Sequence, residues 1–395
     1  MSSLNDVVSA ERVHIAFFGM RNAGKSSLVN AVTNQNLSVV SDVSGTTTDP
    51  VRKAMELLPI GPVVIIDTPG FDDTGHLGQL RVKKTREILK ECDVAILVVD
   101  GNKGLATLDE ELIALFKERD IPYLIVFNKC DLCNKFNEDE NSIWVSAKEK
   151  LQIENLKEKI GKFAKGSENH HPLIHDLVDV EDCVVLVVPV DSAAPKGRLI
   201  LPQQLVIRDL LDHGAMALVC QDTQLQAMLE NVKNVKLVVT DSQRFEVVSQ
   251  TVPEDIPMTS FSILMARYKG ILGQAVQGAF QLDALHDGDK VLISEGCTHH
   301  RQCGDIGTEK LPNWIDQYTK KKLTYEFTSG REFPEDLSSY DLIIHCGGCM
   351  LNEKEMFIRN QRAKHQGVPM TNYGTAIAHM HGILKRAIAC LNGTY

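Results

Sequence analysis

The stretch "VHIAFFGMRNAGKSSLVNAV" leaves the first third of the chain few folds to choose from. Val13 to Phe18 is an apolar run that reads as a buried strand. The chain then breaks into a loop, and helical character follows Ser26. Gly19, four residues, Gly24, Lys25 and Ser26 have the spacing of a phosphate-binding loop. In such a loop backbone N–H groups wrap the phosphates, the lysine neutralises them and the hydroxyl coordinates magnesium. Strand, loop and helix in this order imply a parallel α/β sheet. Asn22, Ala23, Gly24, Lys25, Ser26 and Ser27 are its candidate nucleotide-binding residues.

Three further words fit the same pocket. "VVIIDTPG" ends a buried strand on Asp67, placed to hold the magnesium shell through water, and Gly70 can report on the terminal phosphate through its N–H. "LIVFNKCD" delivers Asn128, Lys129 and Asp131 at another strand end. The Asp131 carboxylate can accept from N1–H and the amino group of guanine, whereas adenine would leave it unpaired, a form of discrimination worth about ten-thousandfold in favourable sites. "VSAK" supplies Ser146 and Ala147, whose N–H can read the guanine carbonyl. In "SGTTTDP", Thr47 is the candidate second magnesium ligand, with Thr46 and Thr48 as rivals. Each word alone is an ordinary turn, but four in this order at strand ends describe a GTP site.

These residues resemble the translation-factor-related branch of small GTPases, over about Val13 to Ala164. The resemblance implies K+ beside Asn22. It also implies slow hydrolysis, because Phe71 stands where some relatives carry a water-orienting glutamine; Lys25 and Gly70 remain as phosphate-stabilising candidates, and Asp72 and Asp73 read as exposed loop residues.

At 395 residues and 43% hydrophobic, the chain has material for two to three domains. A net charge of -10 argues against nucleic acid as a partner. No segment approaches the roughly 20 apolar residues of a membrane span, and no secretory leader pattern is present, so the expected location is cytoplasmic, with no membrane association. Ten cysteines then fit reduced thiols better than a disulfide framework, which makes metal binding the question to ask.

A polar linker is expected near Gly166 to Asp176, with His170, His171 and His175 as solvated linker histidines. From "DCVVLVVPV" onward, strand and helix alternate, implying a second parallel α/β unit without a catalytic constellation, in which Cys183 and Cys220 are small core hydrophobes. In the last third, "DKVLISEGCTHH" and "YDLIIHCGGCM" both run from an apolar strand into thiols and imidazoles. In a parallel sheet their loops lie at one carboxyl edge, so Cys297, Cys346 and Cys349 can converge. Zinc and an iron–sulfur cluster both suit this set, and Gly347 and Gly348 would let backbone N–H groups wrap sulfide. Cys130 and Cys133 sit inside the guanine-reading loop and form a coincidental pair. Asn372 opens a helix whose N-terminus would favour an anion if it faces the same edge.

"CTHH" paired with "HCGGC", and "PVDSAAPKGRLILPQ" in the middle, resemble the HydF family, maturation GTPases of FeFe-hydrogenases, over essentially the whole chain. The resemblance implies a GTP-binding domain at 1–168, a dimerisation domain at 175–260 and an iron–sulfur domain at 261–395. It implies that Cys297, Cys346 and Cys349 hold three irons of a 4Fe-4S cluster, leaving the fourth iron with an exchangeable ligand. His299 and His345 are near-site candidates for that position, followed by Asp305, with Cys303 last. It further implies a homodimer, a GTPase that carries a transient di-iron subcluster as cargo, and as partners the radical-SAM maturases HydE and HydG and the apo FeFe-hydrogenase. The alternative is an RNA-modification or ribosome-assembly GTPase whose C-terminal domain is stapled by zinc.

Overall fold

The computed structural model describes residues 12–34, 51–70, 85, 87–133, 139–165, 171–190, 199–296, 305–330 and 332–391. The chain divides into two compact units, Met1–Glu168 and Asn169–Tyr395. In the first, β1 (Val13–Gly19), α1 (Lys25–Thr33), β2 (Val51–Leu57), β3 (Gly61–Asp67), β4 (Val94–Asp100), α2 (Thr107–Glu118), β5 (Tyr123–Asn128), β6 (Ser142–Trp144) and α3 (Ile153–Lys165) follow one another. The sheet order is β2-β3-β1-β4-β5-β6. Only β2 runs antiparallel to its neighbour.

Strand periodicity explains the layers. Ile15 and Phe17 point into one core and Ala16 and Phe18 into another on the opposite face, so β1 is apolar throughout. Because β1 lies between β3 and β4, the loops leaving β1 and β3 flank a point where the strand order reverses, the usual ligand crevice of an open α/β sheet.

The second unit carries two all-parallel four-stranded sheets. The first is built from β7 (Cys183–Val187), α4 (Leu201–Asp212), β8 (Met216–Cys220), α5 (Leu225–Asn231), β9 (Val235–Thr240), α6 (Phe245–Thr251) and β10 (Met258–Ser260), in the strand order β10-β9-β7-β8. Then come α7 (Phe261–Tyr268), α8 (Leu272–Ala279), β11 (Lys290–Glu295), α9 (Leu311–Thr319), β12 (Thr324–Ser329), β13 (Leu342–His345), α10 (Glu353–His365), β14 (Met370–Asn372), α11 (Tyr373–Met380) and α12 (Leu384–Ala389), with the order β12-β11-β13-β14. One continuous apolar core from Leu173 to Leu391 serves both sheets. Cys220 belongs to it and Cys183 is likewise buried, as their apolar strands predict. Among the described residues no helix is long and apolar enough to cross a membrane.

The start of this unit is tied down by a buried charge. Arg267 in α7 is 3% exposed; its Nη1 donates to Asp176 Oδ1 at 2.7 Å and to the Leu173 carbonyl at 3.3 Å, and its Nη2 donates to Asp176 Oδ2. Burial alone would push the Asp176 carboxyl up, but the guanidinium outweighs it and holds the group below the usual carboxylate range. Asp176→Asn removes the negative charge that balances this buried guanidinium, so denaturant unfolding of the variant should show a loss of about 2 kcal/mol at neutral pH. A depressed carboxylate contributes its stability above its unfolded pKa of about 3.9 and loses it as pH falls through the folded value, so the gap between variant and wild type should close below about pH 4. A gap that persists unchanged in acid would contradict this assignment.

Candidate functional site

Three strand ends meet at the nucleotide corner of the first unit. Lys25, at the start of α1, donates from Nζ to Asp67 Oδ1 at 2.7 Å, and Ser26 Oγ donates to Asp67 Oδ2 at 3.2 Å. The residues read as phosphate and magnesium groups are therefore already in mutual contact. Gly24 has φ +85, and a Cβ there would meet Asn128 Nδ2 at 2.2 Å, so only glycine fits both the turn and the close approach.

Asn128 latches the loops together. Its Nδ2 donates to the Ala23 carbonyl at 3.0 Å, and its Oδ1 accepts from the Ala147 N–H at 3.0 Å. Lys129 Nζ reaches the Asn22 carbonyl at 2.8 Å and Asp100 Oδ2 at 2.6 Å. Burial works to raise the Asp100 carboxyl, but the Lys129 ammonium and the Asn102 N–H bring it below the usual range. Asp131 is exposed on a short 3₁₀ turn, with its carboxylate accessible to a base, and Ser146 Oγ accepts from the Glu149 N–H at 3.1 Å. Ser27 is exposed on α1, and Gly70 ends the described part of the loop after β3. Thr46, Thr47, Thr48, Phe71, Asp72 and Asp73 lie outside the described residues. For Cys130 and Cys133, burial pushes both thiols up, away from the thiolate form a metal would need.

A second corner forms at the carboxyl edge of the last sheet. β11 and β13 are adjacent and parallel, with Ser294 opposite His345, and the Cys346 N–H donates to the Ser294 carbonyl at 2.9 Å. The Gly296 N–H then donates to Cys346 Sγ at 3.0 Å, and the Gly348 N–H donates to the same sulfur at 3.4 Å. Gly348 has φ +64, and a Cβ there would meet Met356 Sδ at 2.7 Å. Burial pushes the Cys346 thiol up; the two N–H donors and Arg359 act against it. Cys349 is half-buried against the same core. Cys297, His299 and Cys303 lie outside the described residues, although Gly296 directly precedes Cys297 in the chain.

His345 and Asp305 behave differently. His345 is fully buried: its Nδ1 donates to the Cys346 carbonyl at 2.9 Å, while Nε2 accepts from Arg359 Nη1 at 3.1 Å. Both ring nitrogens are thus engaged, and burial together with the facing guanidinium pushes its pKa down to about 3. Asp305 caps a π-helical turn, Ile306–Lys310, of a kind common at functional sites. Its Oδ2 accepts from Thr308 N at 2.9 Å and from Thr308 Oγ1 at 2.8 Å.

Several residues of these corners escape motif reading. Asp100 and Glu295 each end an apolar strand, a signal shared with Asp67 and Asn128. Tyr373 donates from its hydroxyl to Glu295 Oε1 at 3.2 Å. Arg359 is 1% exposed among the inward positions of α10, donates to Glu355 Oε1 and the Gly330 carbonyl, both at 3.0 Å, and lies over the Phe333 ring. An arginine on an inward helical face is the one signal that could have exposed it. Asn372 pairs in register with His345, but the first-turn N–H groups of Gly374 and Thr375 are taken by Ser262 Oγ and Asn372 Oδ1, so two of that helix's donors are already used.

Comparison with known proteins matches three stretches of the chain. Residues 14–129 match the family described as 50S ribosome-binding GTPase, residues 173–270 the hydrogen maturase F dimerization domain, and residues 273–390 the hydrogen maturase F tetramerization domain. The tRNA modification GTPase MnmE of Laribacter hongkongensis is 37% identical over 123 residues, 31% of this chain and 27% of its own. GTPase Der of Mycoplasmopsis agalactiae is 38% identical over 133 residues, 32% of this chain and 30% of its own. The chain spans less than a third of the length of either relative. The solved structure of Era in complex with MgGDPNP and a segment of 16S ribosomal RNA is 17% identical, covers 54% of this chain and 94% of its own, and has a TM-score of 0.34.

Asn128→Ala leaves the Ala147 N–H and the Ala23 carbonyl without their partner. The expected cost is about 2–3 kcal/mol of stability in urea unfolding, with at least about a tenfold weaker affinity for a fluorescent GTP analogue. Unchanged affinity would show that the latch does not organise the pocket.

Proposed function

The chain belongs to the hydrogen maturase F family, and on that premise we propose that it is a GTP-switched scaffold that carries a 4Fe-4S cluster, accepts a di-iron subcluster as cargo and delivers it to an apo FeFe-hydrogenase. The observation that carries this reading is the bond from the Gly296 N–H to Cys346 Sγ, because the residue that follows Gly296 is the third thiol, Cys297. The chemistry of the corner suits an anionic sulfur bound to iron: two N–H donors and a buried guanidinium face the Cys346 thiolate. Cys297, Cys346 and Cys349 would hold the cluster, which supplies an iron open to an exchangeable ligand.

His299 and Asp305 are the proposed candidates for the fourth ligand. One Asp305 carboxylate oxygen is spent on capping, and its Oδ1 makes no hydrogen bond among the described residues. His345 spends both nitrogens on holding the loop and so acts as a positioning residue. Ser26 and Thr47 would ligate Mg2+, and Asn22 a K+ ion.

Hydrolysis of GTP in the first unit regulates association with HydE, HydG and the hydrogenase rather than metal chemistry. Self-association is assigned to residues 175–260. β8 is an edge strand whose Met216 and Val219 are 50% and 45% exposed, an open template for pairing with a second copy. The family matched over 273–390 is named for tetramerization, which extends the assembly beyond a homodimer.

Serine at Cys297, Cys346 or Cys349 should bring iron and sulfide content to background in anaerobically reconstituted protein while GTP hydrolysis continues. Lys25→Ala should do the reverse, cutting GTP turnover by at least about a hundredfold with iron retained. Full iron content in all three serine variants would refute the ligand set.

A further inference from the structure

A third cluster of chemically capable side chains lies away from both corners. Among the described residues, His175, Asp209 and His213 are the one group of three whose ligand atoms all fall within 4.8 Å of one another. We propose that they form a binding site for a divalent first-row transition-metal ion that staples the segment around His175 onto the C-terminal end of α4. This inference stands independently of the iron–sulfur reading.

The helix supplies two of the donors. Asp209 and His213 are four residues apart at the end of α4, so they share a face, and the helix carboxyl terminus favours a cation there. The third donor arrives on the short turn His175–Leu177. His175 Nδ1 lies 3.1 Å and His213 Nδ1 3.6 Å from Asp209 Oδ1. For zinc bonds of about 2.0–2.1 Å in a tetrahedron, neighbouring donors sit about 3.3 Å apart, so the separations already bracket the required one.

The carboxylate is also aimed. Asp209 Oδ2 accepts from the backbone N–H groups of Ile174 and His175, both at 3.0 Å, and lies 3.2 Å from His175 Nδ1, so Oδ1, 3.1 Å from the same nitrogen, is the oxygen with capacity left for an ion. The nearby guanidinium of Arg208 is committed to Asp212. Two neutral imidazoles and one carboxylate make a site of single negative charge, suited to Zn2+, Fe2+ or Co2+. The side chains of His175 and His213 are 36% and 46% exposed, which gives an ion a way in and room for water ligands.

Binding requires one local change. The two rings are stacked, with centroids 4.1 Å apart and planes 10° apart, and His213 Nδ1 donates to the Asp209 carbonyl at 2.8 Å. Parallel planes cannot both contain one ion, so His213 must turn out of the stack and release that carbonyl. The proton on each Nδ1 passes through solvent to Nε2, so both imidazoles stay neutral and offer an Nδ1 lone pair to the ion.

Anaerobic Co2+ titration of the full chain, without a polyhistidine tag, tests the proposal. The wild type should show weak d–d bands that saturate with one ion, persist in Cys346→Ser and disappear on Zn2+ addition; thiolate sites are distinguished by intense sulfur-to-metal charge transfer. His213→Gln and, separately, His175→Gln should weaken this binding by more than about tenfold while their metal-free melting temperatures stay near that of the wild type. Bands of equal intensity and affinity in both variants, or cobalt absorbance that is all thiolate in character, would overturn it. Loss of iron from the cysteine variants with these bands intact would leave the proposal standing whatever becomes of the cluster.

Discussion

The parallel pairing of β11 with β13 is the constraint on which the second unit's chemistry depends. Ser294 opposite His345 sets the register, and the Cys346 N–H on the Ser294 carbonyl carries it one residue past the strand. β13 stops at His345 and β11 one residue further on at Glu295, so the loops that leave them begin side by side, and the Gly296 N–H meets the Cys346 sulfur. A shift of one residue along β13 would turn Cys346 to the opposite face of the sheet. The sulfur corner is therefore a product of backbone hydrogen bonding before it is a product of side chains.

Charge buried behind that edge does the remaining work. Arg359 carries a guanidinium into a nearly dry environment, where Glu355 balances it and Phe333 covers it, and spends a further donor on His345. That bond fixes the histidine proton on Nδ1, which in turn holds the Cys346 carbonyl. The nucleotide corner uses the same economy in a different unit: Asn128 and Lys129, adjacent at the end of β5, bind carbonyls of the phosphate loop and connect it to Ala147 and Asp100. In both places a strand end delivers the side chains, and a polar bond holds the adjoining loop.

Features that act through local spacing were legible in the sequence. The Gly19-to-Ser26 loop, the strand-terminal Asp67 and Asn128, and the Cys346–Cys349 pair after an apolar run all emerge at parallel-sheet edges, because strand periodicity and chain direction suffice to place them. What depends on distant partners was not. His175 reads as a solvated linker residue, yet it binds Asp209, 34 residues further on, and stacks on His213. His345 reads as a ligand candidate beside a thiol, and only the long-range approach of Arg359 shows that its nitrogens are spent. Arg359 itself sits in a charged-looking helix whose mean composition conceals an inward arginine.

The cluster is read from iron and acid-labile sulfide per chain together with the EPR spectrum of the dithionite-reduced protein after anaerobic reconstitution. About four irons and four sulfides per chain and a paramagnetic signal of a reduced cubane cluster are expected. Stoichiometric zinc with neither sulfide nor signal, under strict exclusion of oxygen, would contradict that assignment.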